Sequence, residues 1–193
     1  MTAAFVDFVP VVADDVGWIA AFVHANAWPF HALHHPNEEQ AGEIAARGTA
    51  DDHLGWFAVV DGERLGYITV ADVDATDFDP SFDIRLAEAA RGKGVGGPLV
   101  RHATDETFTQ RPDNVIRVEA FTRVDNRPMR RVLERSGYAL EGYVRQNWPD
   151  DADPTRDRAT CRLLDCVTYG ITRADWTAGV VTPVPWDELR ATP

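Results

Sequence analysis

Residues 91–98 read RGKGVGGP, with four glycines in eight positions and the chain's only lysine, Lys93, among them. Glycine reaches positive φ and lets backbone N–H groups approach a ligand without a Cβ in the way. The stretch falls between a strand pattern and a helix pattern, and a helix start adds unpaired N–H groups and a partial positive charge. Such a turn is an anion cradle suited to a pyrophosphate, with Arg91 and Lys93 supplying charge at its rim. A purely structural turn accounts for one or two of these glycines, not for four beside two cations.

Hydrophobic periodicity places the stretch in a regular succession of elements. Strands are expected at Phe5–Val12, Gly55–Val60, Arg64–Val73, Phe82–Glu88, Val115–Thr122, Tyr138–Gln146 and Asp165–Arg173. Helices are expected at Asp14–Ala27, at Asn37–Ala46 capped by Asn37, at Pro98–Phe108 and at Pro128–Arg135. Asp61-Gly62 is a hairpin turn signal. The order is βααβββαβαββ, an α/β chain with a mixed sheet. No repeat or linker interrupts it, and 193 residues suit a single domain, 1–193, with 177–193 as a C-terminal tail. The tail's valines and tryptophan either pack within the chain, cover the sheet edge or join a dimer.

Composition narrows the class. Hydrophobic residues make up 45% of the chain, which supports a core. No apolar run approaches the ~20 residues of a membrane span, and the start lacks a secretory signal pattern. Cys161 and Cys166 are too few for a disulfide framework and read as reduced thiols of a cytoplasmic protein. The formal net charge of −12 disfavours nucleic acid. It either draws in a cationic acceptor such as a polyamine, an aminoglycoside or a basic peptide, or it reflects genome composition or a salty cytoplasm.

Two registers compete for the glycines. Gly92, Gly94 and Gly97 satisfy the dinucleotide fingerprint, and Glu119 falls near the ~20-residue offset of a ribose-binding acid. Glu119 lies inside VIRVEAFT rather than at its end, however, and hairpin strands precede the loop. No Ser or Thr follows Lys93, which removes a Walker motif. The other register is Arg91-x-x-Gly94-x-Gly96.

In that register the chain resembles the GNAT superfamily of acetyl-coenzyme A-dependent N-acetyltransferases, whose signature is Q/R-x-x-G-x-G/A. RGKGVGGPLVRHA is similar to the family's coenzyme loop and helix. DNRPMRRVLERSGYALEG is similar to its next helix and strand, with Asn126 at a recurrent asparagine. DCVTYGITRADW resembles the tail of the branch containing the ribosomal-protein N-terminal acetyltransferases. The resemblance implies a GNAT fold, a mostly antiparallel sheet splayed at the coenzyme-binding strand and flanked by helices. It implies direct acetyl transfer from acetyl-CoA to a primary amine, without a metal. The implied coenzyme site is the backbone of Leu86, Ala87 and Glu88 for the pantetheine arm and Arg91, Gly92, Lys93, Gly94, Val95, Gly96 and Gly97 for the pyrophosphate, with Asn126. An amide N–H within Leu86–Glu88 is the expected donor to the thioester carbonyl.

Transfer needs a neutral amine, and an alkylammonium of pKa ~10.4 is neutral in about one molecule in 2,500 at pH 7. Asp83, where relatives often place an acid, is the first candidate to take the proton, and Glu119 the second. Each also has an arginine to pair with, Arg85 and Arg117. The resemblance places a tyrosine or serine as acid for the leaving thiolate, but this chain has Leu133 and Met129 at those positions. Tyr138 and Tyr143 are the substitutes, Tyr138 also being a core candidate.

WPFHALHHP, residues 28–36, falls where the superfamily shapes its acceptor pocket. Trp28, Phe30 and His31 are its expected lining, as a wall for an amine. His31, His34 and His35 have a spacing that can hold a metal, but prolines bracket the segment and the chemistry needs none. The expected partner is an amine-bearing small molecule or a protein N-terminus, bound by a monomer or homodimer. The missing tyrosine and serine leave one alternative, a non-catalytic acyl-CoA-binding module or sensor.

Overall fold

The computed structural model describes residues 6–77, 79–111, 113–150 and 159–190. Phe5, at the head of the first expected strand, and residues 191–193 of the tail lie outside them. All the expected elements are present in the expected order: β1 (Asp7–Pro10), α1 (Val16–Ala25), α2 (Glu38–Gly48), β2 (Leu54–Val60), β3 (Glu63–Ala71), β4 (Ser81–Leu86), α3 (Gly96–Gln110), β5 (Arg117–Arg123), α4 (Arg127–Arg135), β6 (Ala139–Pro149) and β7 (Leu163–Thr172). Two short helices follow, α5 (Arg173–Ala178) and α6 (Trp186–Arg190). No helix among the described residues is long and apolar enough to cross a membrane.

Local chemistry sets the boundaries. Asn37 Oδ1 accepts from the Gln40 amide at 2.9 Å and Gln40 returns its side chain to the Asn37 amide at 3.0 Å, a capping box that starts α2. Asp61 and Gly62 both take positive φ, 51° and 81°, the turn that matches the twist of the β2–β3 hairpin. The first expected helix loses its leading residues to a 3-10 turn at Ala13–Asp15.

The seven strands form one sheet in the order β1-β2-β3-β4-β5-β7-β6, antiparallel except between β4 and β5. Alternation along the strands sends side chains to two layers. On one face Ile68, Val70 and Val118 pack with Leu99, Val100 and Phe108 of α3 and Leu133 of α4. On the other, Phe57 and Tyr67 pack with Ile19 and Val23 of α1 and Ala41 and Ala45 of α2. In the tail, Val180, Val181 and Trp186 are only half covered, 51%, 48% and 39% exposed.

Candidate active site

The two parallel strands barely touch. β4 and β5 share a single register pair, Ser81 with Glu119, where the Glu119 amide donates to the Pro80 carbonyl at 2.8 Å. Beyond it the strands part and open a V in mid-sheet. Register identifies what the V exposes. The Ala87 amide donates to the Leu65 carbonyl at 2.8 Å, so odd-numbered residues of β4 turn their backbone groups to β3 and even-numbered ones to the V. The Ile84 N–H and C=O and the Leu86 N–H therefore have no strand partner. Ala87, inside the stretch expected to supply the carbonyl donor, is already engaged. A cleft of about 560 Å³ occupies the V and runs up between α2 and α4.

Phe82 and Ile84 pack toward the α3 face, which leaves Asp83 and Arg85 on the α1–α2 face with Tyr67 and Thr69, their cross-strand partners on β3. Asp83 sits in a fork: Oδ1 is 3.0 Å from His31 Nε2, and Oδ2 accepts from Arg85 Nε at 2.8 Å. Burial works against ionisation of Asp83, but the Arg85 guanidinium and His31 outweigh it and hold the carboxyl well below the usual carboxylate range. The expected alternative, an acid paired with Arg85, is thus realised together with a histidine contact.

His31 is delivered by the α1–α2 loop, which is built around Trp28. The indole is buried, donates from Nε1 to the Val23 carbonyl at 2.8 Å, and stacks against Arg85 and Arg91, whose Cζ atoms lie 5.1 and 5.3 Å from the ring. Trp28 therefore supports the site from behind and does not line the cleft, whereas Phe30 and His31 do. Two arginines hold the loop across the V. Arg91, after β4, donates to the Leu86 and Ala27 carbonyls. Arg123, at the end of β5, donates to the Pro29 carbonyl at 3.1 Å and grips Asp125 with Nε and Nη2.

The glycine stretch forms the open turn its composition demands. Gly92 and Gly94 have φ of 74° and 85°, and a Cβ at either would meet nothing within 4 Å. α3 begins at Gly96, two residues earlier than expected, with Pro98 in its first turn. Among the described residues no hydrogen bond engages the amides of Gly92, Gly94, Val95, Gly96 or Gly97. Lys93 is exposed beside them. Arg91, expected as a rim cation, instead has its guanidinium turned to the two carbonyls. Asn126 lines the cleft but caps α4: Oδ1 accepts from the Met129 amide at 3.3 Å and Nδ2 donates to Thr122 Oγ1 at 3.0 Å. Glu88 opens a 3-10 turn leading to the loop.

Other expected residues fall elsewhere. Glu119 lies at the closed apex of the V, accepts from Arg117 at 3.1 Å and does not line the cleft. Tyr138 is 2% exposed in the core, its hydroxyl 2.7 Å from Thr104 Oγ1, and burial raises its pKa far above the ordinary phenol value. The Tyr143 hydroxyl bonds Asp165 on an exposed edge. Met129 and Leu133 both line the cleft and bring no proton donor. No group of three His, Cys, Asp or Glu among the described residues is arranged to hold a metal ion.

Residues that sequence reasoning missed include Arg85 and Tyr67, which face the cleft with Arg47 and His53. Asp83 is the one carboxylate among the described lining residues. Little of the net charge of −12 is thus carried by the described residues that line the cleft.

No curated protein matches this sequence. Solved structures share its fold at low identity. The spermidine N-acetyltransferase of Vibrio cholerae in complex with CoA and spermine is 15% identical, with a TM-score of 0.70 over 89% of this chain and 98% of its own. RimJ of Mycobacterium smegmatis in complex with CoA-disulfide is 19% identical, with a TM-score of 0.66 over 90% and 84%. A GNAT-family acetyltransferase from Bacillus anthracis is 14% identical, with a TM-score of 0.67 over 89% and 97%. The family model for the acetyltransferase (GNAT) domain matches residues 6–139, from the first strand through the V, the glycine turn and α4, and the chain belongs to the GNAT acetyltransferases.

Proposed function

We propose that the protein transfers an acetyl group from acetyl-CoA directly to a primary amine held in the same cleft, the acceptor being a small molecule or a protein N-terminus. The observation that carries this reading is the parting of β4 from β5 after one pair, which leaves the Ile84 backbone groups and the Leu86 N–H without a strand partner near the open amides of Gly92, Gly94, Val95, Gly96 and Gly97. These are donors suited to an extended amide-bearing arm and to a diphosphate. The structures of this fold solved with CoA and with CoA-disulfide support the same assignment.

The chain's residues then have distinct tasks. The Gly92–Gly97 amides and Lys93 hold the diphosphate, and Arg91 keeps the loop and the α1–α2 segment in register around it. The Leu86 N–H donates to the thioester carbonyl oxygen as charge builds there. His31, with its Nε2–H donated to Asp83, keeps a lone pair on Nδ1, which takes the proton from the acceptor ammonium; Asp83 fixes that tautomer and supports the resulting cation. The neutral amine attacks the carbonyl carbon, the N–C bond forms and the C–S bond breaks. The second proton on nitrogen passes to solvent, and the thiolate takes one from solvent, since α4 places Met129 and Leu133 where a donor would stand. Glu119 and Tyr138, engaged with Arg117 and Thr104, have structural tasks in this scheme.

Incubation with acetyl-CoA and a panel of primary amines, read by thiol release, tests the proposal. Amine-dependent release is expected. Tight coenzyme binding without release from any amine would support the sensor reading, and absence of both would remove the assignment altogether.

A further inference from the structure

The cleft holds more hydrogen-bond donors than the proton transfer uses. Tyr67 and Arg85, cross-strand partners on β3 and β4, are 1% and 6% exposed and both line the cleft. A guanidinium carries five N–H donors. Arg85 gives one, from Nε, to Asp83, and its guanidinium lies close enough to the Tyr67 oxygen to pull against the rise in that phenol's pKa. Its Nη1 and the Tyr67 hydroxyl are buried without partners, as is Trp148 Nε1 on the opposite wall. Folded proteins leave few buried donors unsatisfied, and several around one cavity mark a place where an acceptor binds.

Charge points the same way. Among the described residues, the ionic side chains lining the cleft are Arg47, Arg85 and Asp83, with His31 and His53 beside them. Both Asp83 oxygens are already occupied, by His31 and Arg85. Among the described lining residues Asp83 is the one carboxylate, and it is shared with His31 and Arg85, so a second ammonium finds no carboxylate of its own there. A carboxylate finds a buried guanidinium and a phenol side by side. The guanidinium is pre-set for it: Asp83 fixes its Nε edge, and the Trp28 ring lies 5.1 Å from its Cζ. Such a fixed fork recognises a carboxylate with two parallel bonds. The Tyr67 hydroxyl stays a neutral donor, because burial and the nearby Asp83 charge raise its pKa.

We propose that the acceptor amine carries a carboxylate of its own, as an amino acid does, and that Arg85 and Tyr67 bind that carboxylate while the amine meets His31 and Asp83. The fate of the amine rests on the acetyl-transfer reading; the carboxylate site does not.

The test is calorimetric titration of the CoA-saturated protein with the common amino acids and their decarboxylated counterparts: lysine against cadaverine, ornithine against putrescine, phenylalanine against phenethylamine. Spermidine and a C-terminally amidated peptide without acidic residues complete the panel. At least one amino acid is expected to bind about tenfold or more tighter than its decarboxylated partner, the range of a charge-assisted bond. Tyr67→Phe is expected to reduce that preference about tenfold and to leave the decarboxylated amine within about twofold. Arg85→Lys, which keeps the charge but loses the fork, is expected to reduce it at least as far, with melting curves establishing that both variants fold. Equal or tighter binding of the decarboxylated amines, spermidine or the amidated peptide overturns the proposal, as does failure of every amino acid to bind. Thiol release is followed separately: no transfer to any compound, with the carboxylate preference intact, removes the acetyl-transfer reading and leaves this site standing.

Discussion

His31 and Asp83, 52 positions apart in sequence, meet with Nε2 3.0 Å from Oδ1, and the same carboxylate is held from the other side by Arg85 at 2.8 Å. The carboxylate that sequence reasoning selects as base is thus shared by two partners, and the imidazole stands beside it as a second group able to take a proton. His31→Gln is therefore expected to lower kcat about a hundredfold, within the usual range for a positioned base. Coenzyme affinity should stay unchanged. Asp83→Asn is expected to lower kcat less and to leave KM for the coenzyme unmoved. A thiol-release assay distinguishes the two variants, and an unaltered kcat in His31→Gln would place the base elsewhere.

The depressed pKa of Asp83 also has a consequence for stability. Burial opposes the carboxylate, yet Arg85 and His31 favour it more in the folded protein. A carboxyl whose folded pKa lies below its unfolded value, ~3.9, stabilises the fold above that value and loses the contribution as pH falls toward the folded value. Wild type is thus expected to melt higher than Asp83→Asn at pH 7, with the gap closing progressively below about pH 4. Thermal melts of both proteins from neutral to acid pH read this directly. A gap that widens on acidification contradicts the sign.

Arg91 and Lys93 stand two residues apart in the motif but do different work. Arg91 ties the Leu86 and Ala27 carbonyls and faces the Trp28 ring, so Arg91→Ala leaves two half-buried carbonyls without their donor. A loss of about 2 kcal/mol in unfolding free energy is expected. Lys93 is exposed, so Lys93→Ala should leave stability unchanged and weaken coenzyme binding several-fold, more at low salt than at high. Denaturant unfolding together with coenzyme titration at two ionic strengths separates these outcomes.

Much of the scaffold is legible in the sequence because its signals are local. Asn37 with Gln40, Asp61 with Gly62 and the glycines before α3 each act within a few residues, and the structure realises each where the pattern puts it. The V is legible only through the resemblance carried by the glycine motif, because nothing in the apolar alternation of FDIRL or VEAFT states that two parallel strands separate after one pair. The cleft's charge is hidden for the same reason. Arg85 looks like a mere partner for Asp83 until the β3–β4 register sets it beside Tyr67. Trp28 reads as an aromatic wall, but a loop that must close between two arginines buries its largest ring underneath. α5 is missed because its cap is a single side chain, Thr172 accepting from Asp175 at 3.0 Å, inside what reads as the end of a strand.

Tyr138 separates a structural reading from a catalytic one. Its hydroxyl is 2.7 Å from Thr104 Oγ1, which itself donates to the Val100 carbonyl at 2.8 Å, and its ring meets Phe82 edge-on. A phenol so buried holds its proton more tightly than an ordinary tyrosine and has no path to a leaving sulfur. Tyr138→Phe keeps the ring and removes the hydroxyl bond. It is expected to cost about 1 kcal/mol of stability, the net worth of one neutral hydrogen bond. kcat should stay within about twofold of wild type, far from the loss expected on removing a general acid. Denaturant unfolding and steady-state kinetics on the same preparation decide between the two roles. A fall in kcat of about a hundredfold with unfolding unchanged would return Tyr138 to the reaction and require a route from Thr104 to the cleft.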